Sequence, residues 1–429
     1  MSIKIIYGYN ENGITYSKIS DYPQLYLDIK ESVKNKESKD YYTDNLSIFK
    51  WCHFLDVMYP SFIEFKKIPK RKKELIKEVI LNEPKCKELE DWKKWITEDY
   101  FPYKEYLLKN KKNFPEEYRN YILSFSDFYY SNYISLKHSS NFINNIFHNI
   151  DKNIIEDEVS VALIIDNFNF SLKNILCSFL KEQGINNVEE DFYFTTLPSE
   201  TVFGKQALLS LSALNFNKNW NVSNLKEIKK KFSKKNVNYI NQIAILKEID
   251  FKENNLYIVN YLKIDEMLHT DNLKYIGDIL ESIKLELKGI AELINFLLKL
   301  DKKVGVYIMT DHGSIKIPAF SKKIDNQIIN NIGKNLGEIM GELDYKDIEQ
   351  NKNILEKYGY ILYNTSYFLD KDYYIAKPGL YFKDINEEKY LHGGISPDEI
   401  CIPFLKVCNY KYKKVNQKNN FCIDFLEKL

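Results

Sequence analysis

The sequence predicts an α/β protein in which a mainly parallel sheet lies between helices, preceded by a mainly helical N-terminal domain. Three observations carry that expectation. From residue 159 onward, short apolar runs of buried-strand type alternate with helical segments. Between residues 25 and 147 the apolar positions recur at spacings of three and four. Acidic residues stand where several of the apolar runs end, as they do when loops meet beyond the carboxyl ends of parallel strands.

The elements follow in order. Residues 3–9 and 14–19 flank Asn10-Glu11-Asn12-Gly13 and read as a short hairpin. Helical spacing then takes over, as in Trp51, Phe54, Leu55 and Met58, or Tyr118, Tyr121, Ile122 and Phe125. An aromatic stripe at that spacing is read as core. The polar stretch 149–158 marks a boundary, giving domains 1–155 and 156–429, in keeping with a chain of 429 residues that is long for one core. Residues 159–165 predict a strand and 171–182 a helix ended by Gly184. Further strands are expected at 191–196, 256–264 and 304–310, and a long helix over 273–300. A last strand over 400–407 contains Pro403, which favours an edge or irregular position.

Composition excludes several function classes. With 61 basic and 60 acidic residues the formal net charge is +1, so no whole-protein field points to nucleic acid or an anionic membrane. Lysine-rich runs at 67–78 and 226–235 are read as solvated helix faces, local nucleic-acid contact being the alternative. The six cysteines include no C-x-x-C pair, which argues against a zinc knuckle or a disulfide framework. The N-terminus has no signal-type apolar region, and no apolar run reaches the roughly 18 residues that span a bilayer. A soluble, cytoplasmic protein without membrane contact is expected.

The chemistry is concentrated in four places. Asp166 ends the run Val161-Ala162-Leu163-Ile164-Ile165, Asp265 and His269 form D-x-x-x-H, Asp311 and His312 open D-H-G, and His392 opens H-G-G. Each motif alone is common. Together they supply three carboxylates and three imidazoles, enough for two divalent ions, and the lack of cysteine among them suits Zn or Mn. If a helical turn starts at Asp265, His269 shares its face. Two-ion sites of this kind usually handle phosphorus. Residues 195–205 add several hydroxyls between a strand and a helical segment at 207–214, with Thr195, Thr196, Ser199 and Thr201 as candidate nucleophiles.

The order Asp, then Thr or Ser opening a helix, then D-x-x-x-H, D-H and a late His resembles the alkaline phosphatase superfamily. Within it, L-P-S-x-T at 197–201, D-H-G at 311–313 and H-G-G-I-S-P-D-E-I-x-I-P from His392 resemble the PglZ domain, over roughly residues 158–410. The resemblance implies an alkaline-phosphatase-like core. It implies one ion held by Asp166, Asp311, His312 and the nucleophile, and another held by Asp265, His269 and His392. Thr201 matches the nucleophile, and Lys205 matches a position that is often basic and implies a phosphate contact, a solvated lysine being the other reading. Relatives often have glycine where Leu211 stands, so the loop beyond it is expected to differ. An insert near 313–390 is expected to shape the substrate pocket. Asp398 and Glu399 read either as groups orienting His392 or as solvated acids.

The resemblance implies a metal-dependent phosphodiesterase with a threonine nucleophile and two divalent ions, Zn or Mn. It points to nucleotide or oligonucleotide substrates and to bacterial anti-phage defence or signalling, with protein partners docking through residues 1–155. Two alternatives stand beside it: a phosphomonoesterase on the same site, or a non-catalytic recognition subunit of a defence complex. A sulfatase lacks support, since the C/S-x-P-x-R context is absent around Thr201.

Overall fold

The computed structural model describes residues 80–410, apart from 111, 214–215, 217–219, 222–224, 270–278, 318–321, 327, 330–335 and 385–388. The expected hairpin at 3–19 and the basic run at 67–78 lie outside the described residues. Among the described residues, helices α1 (Leu89–Trp95), α2 (Phe101–Lys109), α3 (Arg119–Leu136) and α4 (Ile146–Asn153) come first. They are followed by β1 (Glu158–Ile165), α5 (Phe170–Glu182), β2 (Val188–Phe194) and α6 (Thr201–Ser210). Then come α7 (Lys226–Lys231), β3 (Asn236–Ile240), β4 (Asn255–Tyr261), α8 (Lys263–Leu268), α9 (Ile279–Leu298) and β5 (Lys303–Met309).

Six strands form the central sheet in the order β2-β13-β5-β1-β4-β3, where β13 is the late strand Cys401–Cys408. β1, β3, β4 and β5 run parallel to one another, while β13 runs antiparallel to both of its neighbours. Fold class is therefore α/β with a mainly parallel sheet. β1 is buried along its whole length. Its Ala162 and Ile164 pack into the cluster that holds α1, α3 and α4, whereas Val159, Val161, Leu163 and Ile165 pack against α5 and α9 on the other face. Burial on both faces is why this strand reads as a mostly apolar run.

The aromatic residues of the first helices are core: Tyr100, Phe125, Tyr129, Tyr133 and Phe147 are all fully buried. They share one hydrophobic cluster with Phe194, Leu208 and Ile402. The polar stretch 149–158 runs from α4 into the start of β1. α6 ends at Leu211, whose φ of 58° is left-handed, the conformation for which glycine is the usual helix-ending residue.

Pro403 departs from expectation, because β13 is an internal strand. The ladder to β5 begins only at Leu405. On the other side the Thr195 N–H donates to the Ile400 carbonyl at 2.9 Å, so residues 400, 402 and 404 face β2 and Pro403 faces away from it. The missing proline N–H therefore interrupts no ladder bond.

Between β5 and β13 lies the insert. β6 (Ile315–Ile317), β7 (Lys322–Lys323), β8 (Met340–Leu343), α10 (Tyr345–Tyr358), β9 (Gly359–Leu362), α11 (Asn364–Tyr367), β10 (Asp372–Ala376), β11 (Leu380–Tyr381), β12 (Lys389–Leu391) and α12 (Pro397–Ile400) lead into β13. β8, β10 and β9 form a three-stranded antiparallel sheet, with Leu343, Ile348, Leu355 and Tyr374 in a cluster of its own. No helix among the described residues is long and apolar enough to cross a membrane.

In α9, Leu287 is fully buried and Leu285, two residues away, is 71% exposed. Leu287→Ala is expected to cost about 2–5 kcal/mol in urea unfolding, and Leu285→Ala to stay within about 0.5 kcal/mol of wild type. Equal effects of the two substitutions would refute the placement of this helix face.

Candidate metal centre

Three adjacent strands, β5, β1 and β4, bring three aspartates to one end of the sheet. Asp166 directly follows β1, Asp311 and His312 come just after β5, and Asp265 is the third residue of α8, which follows β4. Parallel strands put these ends together. His392 arrives differently. Because β13 is antiparallel to β5, its beginning lies at that same end, and the chain entering it carries His392, Gly393 and Gly394 there.

The six candidate ligands fall into two groups, Asp166 with Asp311 and His312, and Asp265 with His269 and His392. In the first, all three side chains are buried. His312 Nδ1 lies 3.1 Å from the Gly313 carbonyl. Donation there leaves the Nε2 lone pair facing Asp166 Oδ1 at 3.5 Å and Asp311 Oδ2 at 3.8 Å. Asp311 Oδ2 is buried and makes no hydrogen bond. Thr201, the first residue of α6, holds its Oγ1 2.9 Å from His312 Nε2 and 3.4 Å from Asp166 Oδ1. The N–H groups of Phe203 and Gly204 donate to the Glu200 carbonyl at 3.1 and 2.9 Å, which leaves those of Thr201 and Val202 at the helix start to suit a phosphate oxygen. Thr195, Thr196 and Ser199 are tied elsewhere: Thr195 Oγ1 donates to the Asp311 carbonyl, Thr196 Oγ1 to the Pro198 carbonyl at 3.2 Å, and Ser199 Oγ to the Gly394 carbonyl at 2.9 Å.

Lys205, one turn beyond Thr201, is not a solvated lysine. It is 4% exposed, and its Nζ lies 2.5 Å from Asp166 Oδ2 and 4.0 Å from Asp311 Oδ2. Burial alone would lower its pKa, but the charges of Asp311 and Asp166 raise it. Burial, followed by the charge of Asp311, pushes the Asp166 carboxyl up to about 7. His312 is raised as well: burial opposes its charge, and Asp311 and Asp166 outweigh it. α6 can come this close because residue 204 is glycine; a Cβ there would stand 2.5 Å from the Asp311 carbonyl oxygen.

In the second group, Asp265 Oδ1 faces His269 Nε2 at 3.2 Å and His392 Nε2 at 3.7 Å, and the two ring nitrogens are 2.8 Å apart. The backbone N–H of His269 donates to the Asp265 carbonyl at 3.1 Å, the helical turn that puts both side chains on one face. Burial works against ionisation of Asp265, yet hydrogen bonds from His269 and Asn167 hold it well below the usual carboxylate range. The hydrogen bond to Asp265 raises His269. Burial, followed by the neighbouring His312, brings His392 down to about 3, so its ring is neutral. The groups adjoin, with the His312 and His392 rings stacked at a centroid distance of 4.3 Å. Carboxylates, imidazole nitrogens free to act as ligands, and an orphaned buried carboxylate oxygen together form a donor set that fits divalent cations.

A cavity of about 590 Å³ opens beside His269 and His392. The insert contributes Glu338, Met340 and Tyr373 to its lining, and Glu200 and Phe203 line it as well, the Phe203 ring edge-on to Tyr373 at a centroid distance of 5.5 Å. Asp398 and Glu399 do not touch His392 directly. Glu399 accepts the Gly394 N–H at 2.7 Å and closes a capping box with Ser396, while Asp398 accepts from Tyr100 and pairs with Lys104 at 3.3 Å.

A profile of the BREX system PglZ alkaline phosphatase-like domain matches residues 147–407. The chain belongs to the PglZ family. An alkaline phosphatase-like domain of this kind is a hydrolase of phosphoric esters, and such folds bind divalent metals. No curated protein matches the chain. Among solved structures it is similar to murine ectonucleotide pyrophosphatase/phosphodiesterase 5, inactive and in complex with AMP, at a TM-score of 0.42. The same murine protein without that description gives 0.41, and the human one 0.37. Identity is 9% in each case, over 58% of this chain and 87% of the other.

Sequence reasoning missed the residues that hold the PglZ-type centre in place. Tyr129 OH donates to the Thr195 carbonyl at 2.5 Å, Tyr133 OH accepts the Leu197 N–H at 2.9 Å, and Thr310 Oγ1 accepts the Phe168 N–H at 3.0 Å. The first two are masked by their helical spacing, which already reads as core. Asn167 was also missed, although a polar residue directly after a strand-ending aspartate was a usable signal.

The raised Asp166 pKa has a consequence for the ion-free protein. The folded state keeps a proton on Asp166 up to about pH 7, whereas the unfolded chain releases it near the ordinary value of 3.8. Stability from this group is therefore present below about pH 4 and lost as pH rises through 7. Asp166→Asn is expected to exceed wild type by about 1–3 kcal/mol in urea unfolding at pH 8 and to equal it near pH 4. A wild type more stable than the variant at pH 8 would contradict this.

Proposed function

We propose that this PglZ protein is a two-metal phosphodiesterase in which Thr201 is the nucleophile. The observation that carries the reading is the position of the Thr201 hydroxyl. It stands at a helix N-terminus, within 3.4 Å of Asp166 and 2.9 Å of His312, at the edge of a buried carboxylate-imidazole set that adjoins a second such set. Asp166, Asp311 and His312 hold one divalent ion together with Thr201, and Asp265, His269 and His392 hold the other; Zn is favoured, with Mn as the alternative. When bound, the ions lower the pKa of the attacking hydroxyl and offset charge on the leaving oxygen.

Thr201 Oγ1 bonds to phosphorus as the P–O bond to the leaving alcohol breaks in line with it; the threonine proton passes to solvent, the leaving oxygen takes one up from solvent, and the intermediate is a phosphodiester of Thr201 that keeps the second organic substituent. The N–H groups of Thr201 and Val202 at the start of α6 hold the phosphoryl oxygens. Water then attacks phosphorus, the bond to Thr201 breaks, and the freed phosphate monoester departs. The cavity beside His269 and His392 accepts one organic substituent of the diester, which is the reason to prefer diesters over monoesters. A nucleotide or oligonucleotide fits that class. The family description names the BREX system, and the reading extends to a defence role with protein partners docking on the N-terminal part of the chain.

Purified full-length protein supplied with Zn or Mn is expected to cleave bis-p-nitrophenyl phosphate faster than p-nitrophenyl phosphate. Thr201→Ala should reduce diester cleavage on the order of 10³-fold or more, with Asp311→Ala similarly impaired and a chelator abolishing turnover. Undiminished activity in Thr201→Ala would remove the assigned nucleophile, and preference for the monoester would remove the diester assignment.

A further inference from the structure

Asn167 stands between the two ligand groups and belongs to neither. It follows Asp166 in the chain with a φ of 59°, in the left-handed region. The side chain is fully buried, its Nδ2 donates to Asp265 Oδ1 at 2.9 Å, and its Oδ1 makes no hydrogen bond. Asp265 Oδ1 is also the oxygen that faces His269 and His392. One residue is thus peptide-bonded to the first group and hydrogen-bonded to the second. Just beyond it, the Phe168 N–H donates to Thr310 Oγ1, so the turn is anchored to the loop that carries Asp311 and His312.

Backbone conformation alone does not account for asparagine here. Glycine supplies φ near +60° at lower cost, but only asparagine adds an amide that reaches Asp265. A carboxylate oxygen has two lone pairs. With one held by the Asn167 amide, the direction of the other is fixed toward His269 and His392. We propose that Asn167 is a positioning residue that sets the second ion site in register with the first, orienting Asp265 without itself being a ligand. The inference rests on the two-ion reading above.

The test uses full-length protein stripped of divalent ions and titrated with Co²⁺, followed by its visible absorption. Wild type takes up two equivalents. Asn167→Gly, which keeps the left-handed turn, is expected to bind one equivalent as wild type does and the other about 10–100-fold more weakly, the usual effect of losing a group that orients a ligand. Unchanged binding of one equivalent also reports that the variant is folded. Asn167→Asp has the same shape and tolerates the same turn but cannot donate, and the absorption of that weakened equivalent should differ from wild type. Wild-type affinity and absorption for both equivalents in both variants would overturn the proposal. Equal weakening of both equivalents would overturn a role confined to one group. A wild type that takes up no Co²⁺ would instead sink the two-ion reading, and this inference with it.

Discussion

Two carboxylates buried side by side, with almost no exposure to water, set the terms for the rest of this fold. Asp166 and Asp311 are 2% and 0% exposed, and like charges in such a place are tolerated only with an opposite charge close by. Lys205 provides it from α6. That requirement explains the composition of the helix. Thr201 and Lys205 stand four residues apart on one face, and Gly204 lets the backbone come against the Asp311 carbonyl. The residue that answers the charge and the residue that carries the hydroxyl are placed by a single element.

Around this centre the support comes mostly from the first helices. Tyrosine has an apolar ring and a hydroxyl that needs a partner once buried. Tyr129 and Tyr133 use their hydroxyls on the segment leading to Thr201, and Tyr100 uses its own on Asp398 beside the late histidine loop. The helical region that precedes the sheet is therefore part of the scaffold of the centre, joined to it by a shared core.

The central strands were legible because burial on both faces leaves a mostly apolar run, and β1, β4 and β5 all show one. The candidate ligands were legible because aspartate and histidine gather where those runs stop. Other features depend on contacts that sequence spacing does not record. Pro403 suggested an edge, but a proline excludes only one side of a strand, and which side is occupied depends on partners over two hundred residues away in the case of β2. Lys205 reads equally as a solvated or a buried cation until the two carboxylates are seen around it. The partner of Asn167, Asp265, belongs to another strand end, a contact that spacing along the chain does not record.

The candidate ligands of the second group also have a topological side. Asp265 and His392 bracket β5 and the whole insert, so holding both at one point closes a long loop of chain. The entropy of such closure rises only with the logarithm of loop length, about 0.6 kcal/mol for each doubling. The chemistry at the sheet end is thus nearly indifferent to how much chain the loop contains. The same loop builds a wall of the cavity beside the histidines. A fold of this kind can lengthen, shorten or replace its insert, and so change what the cavity admits, while the candidate ligands stay where the sheet puts them.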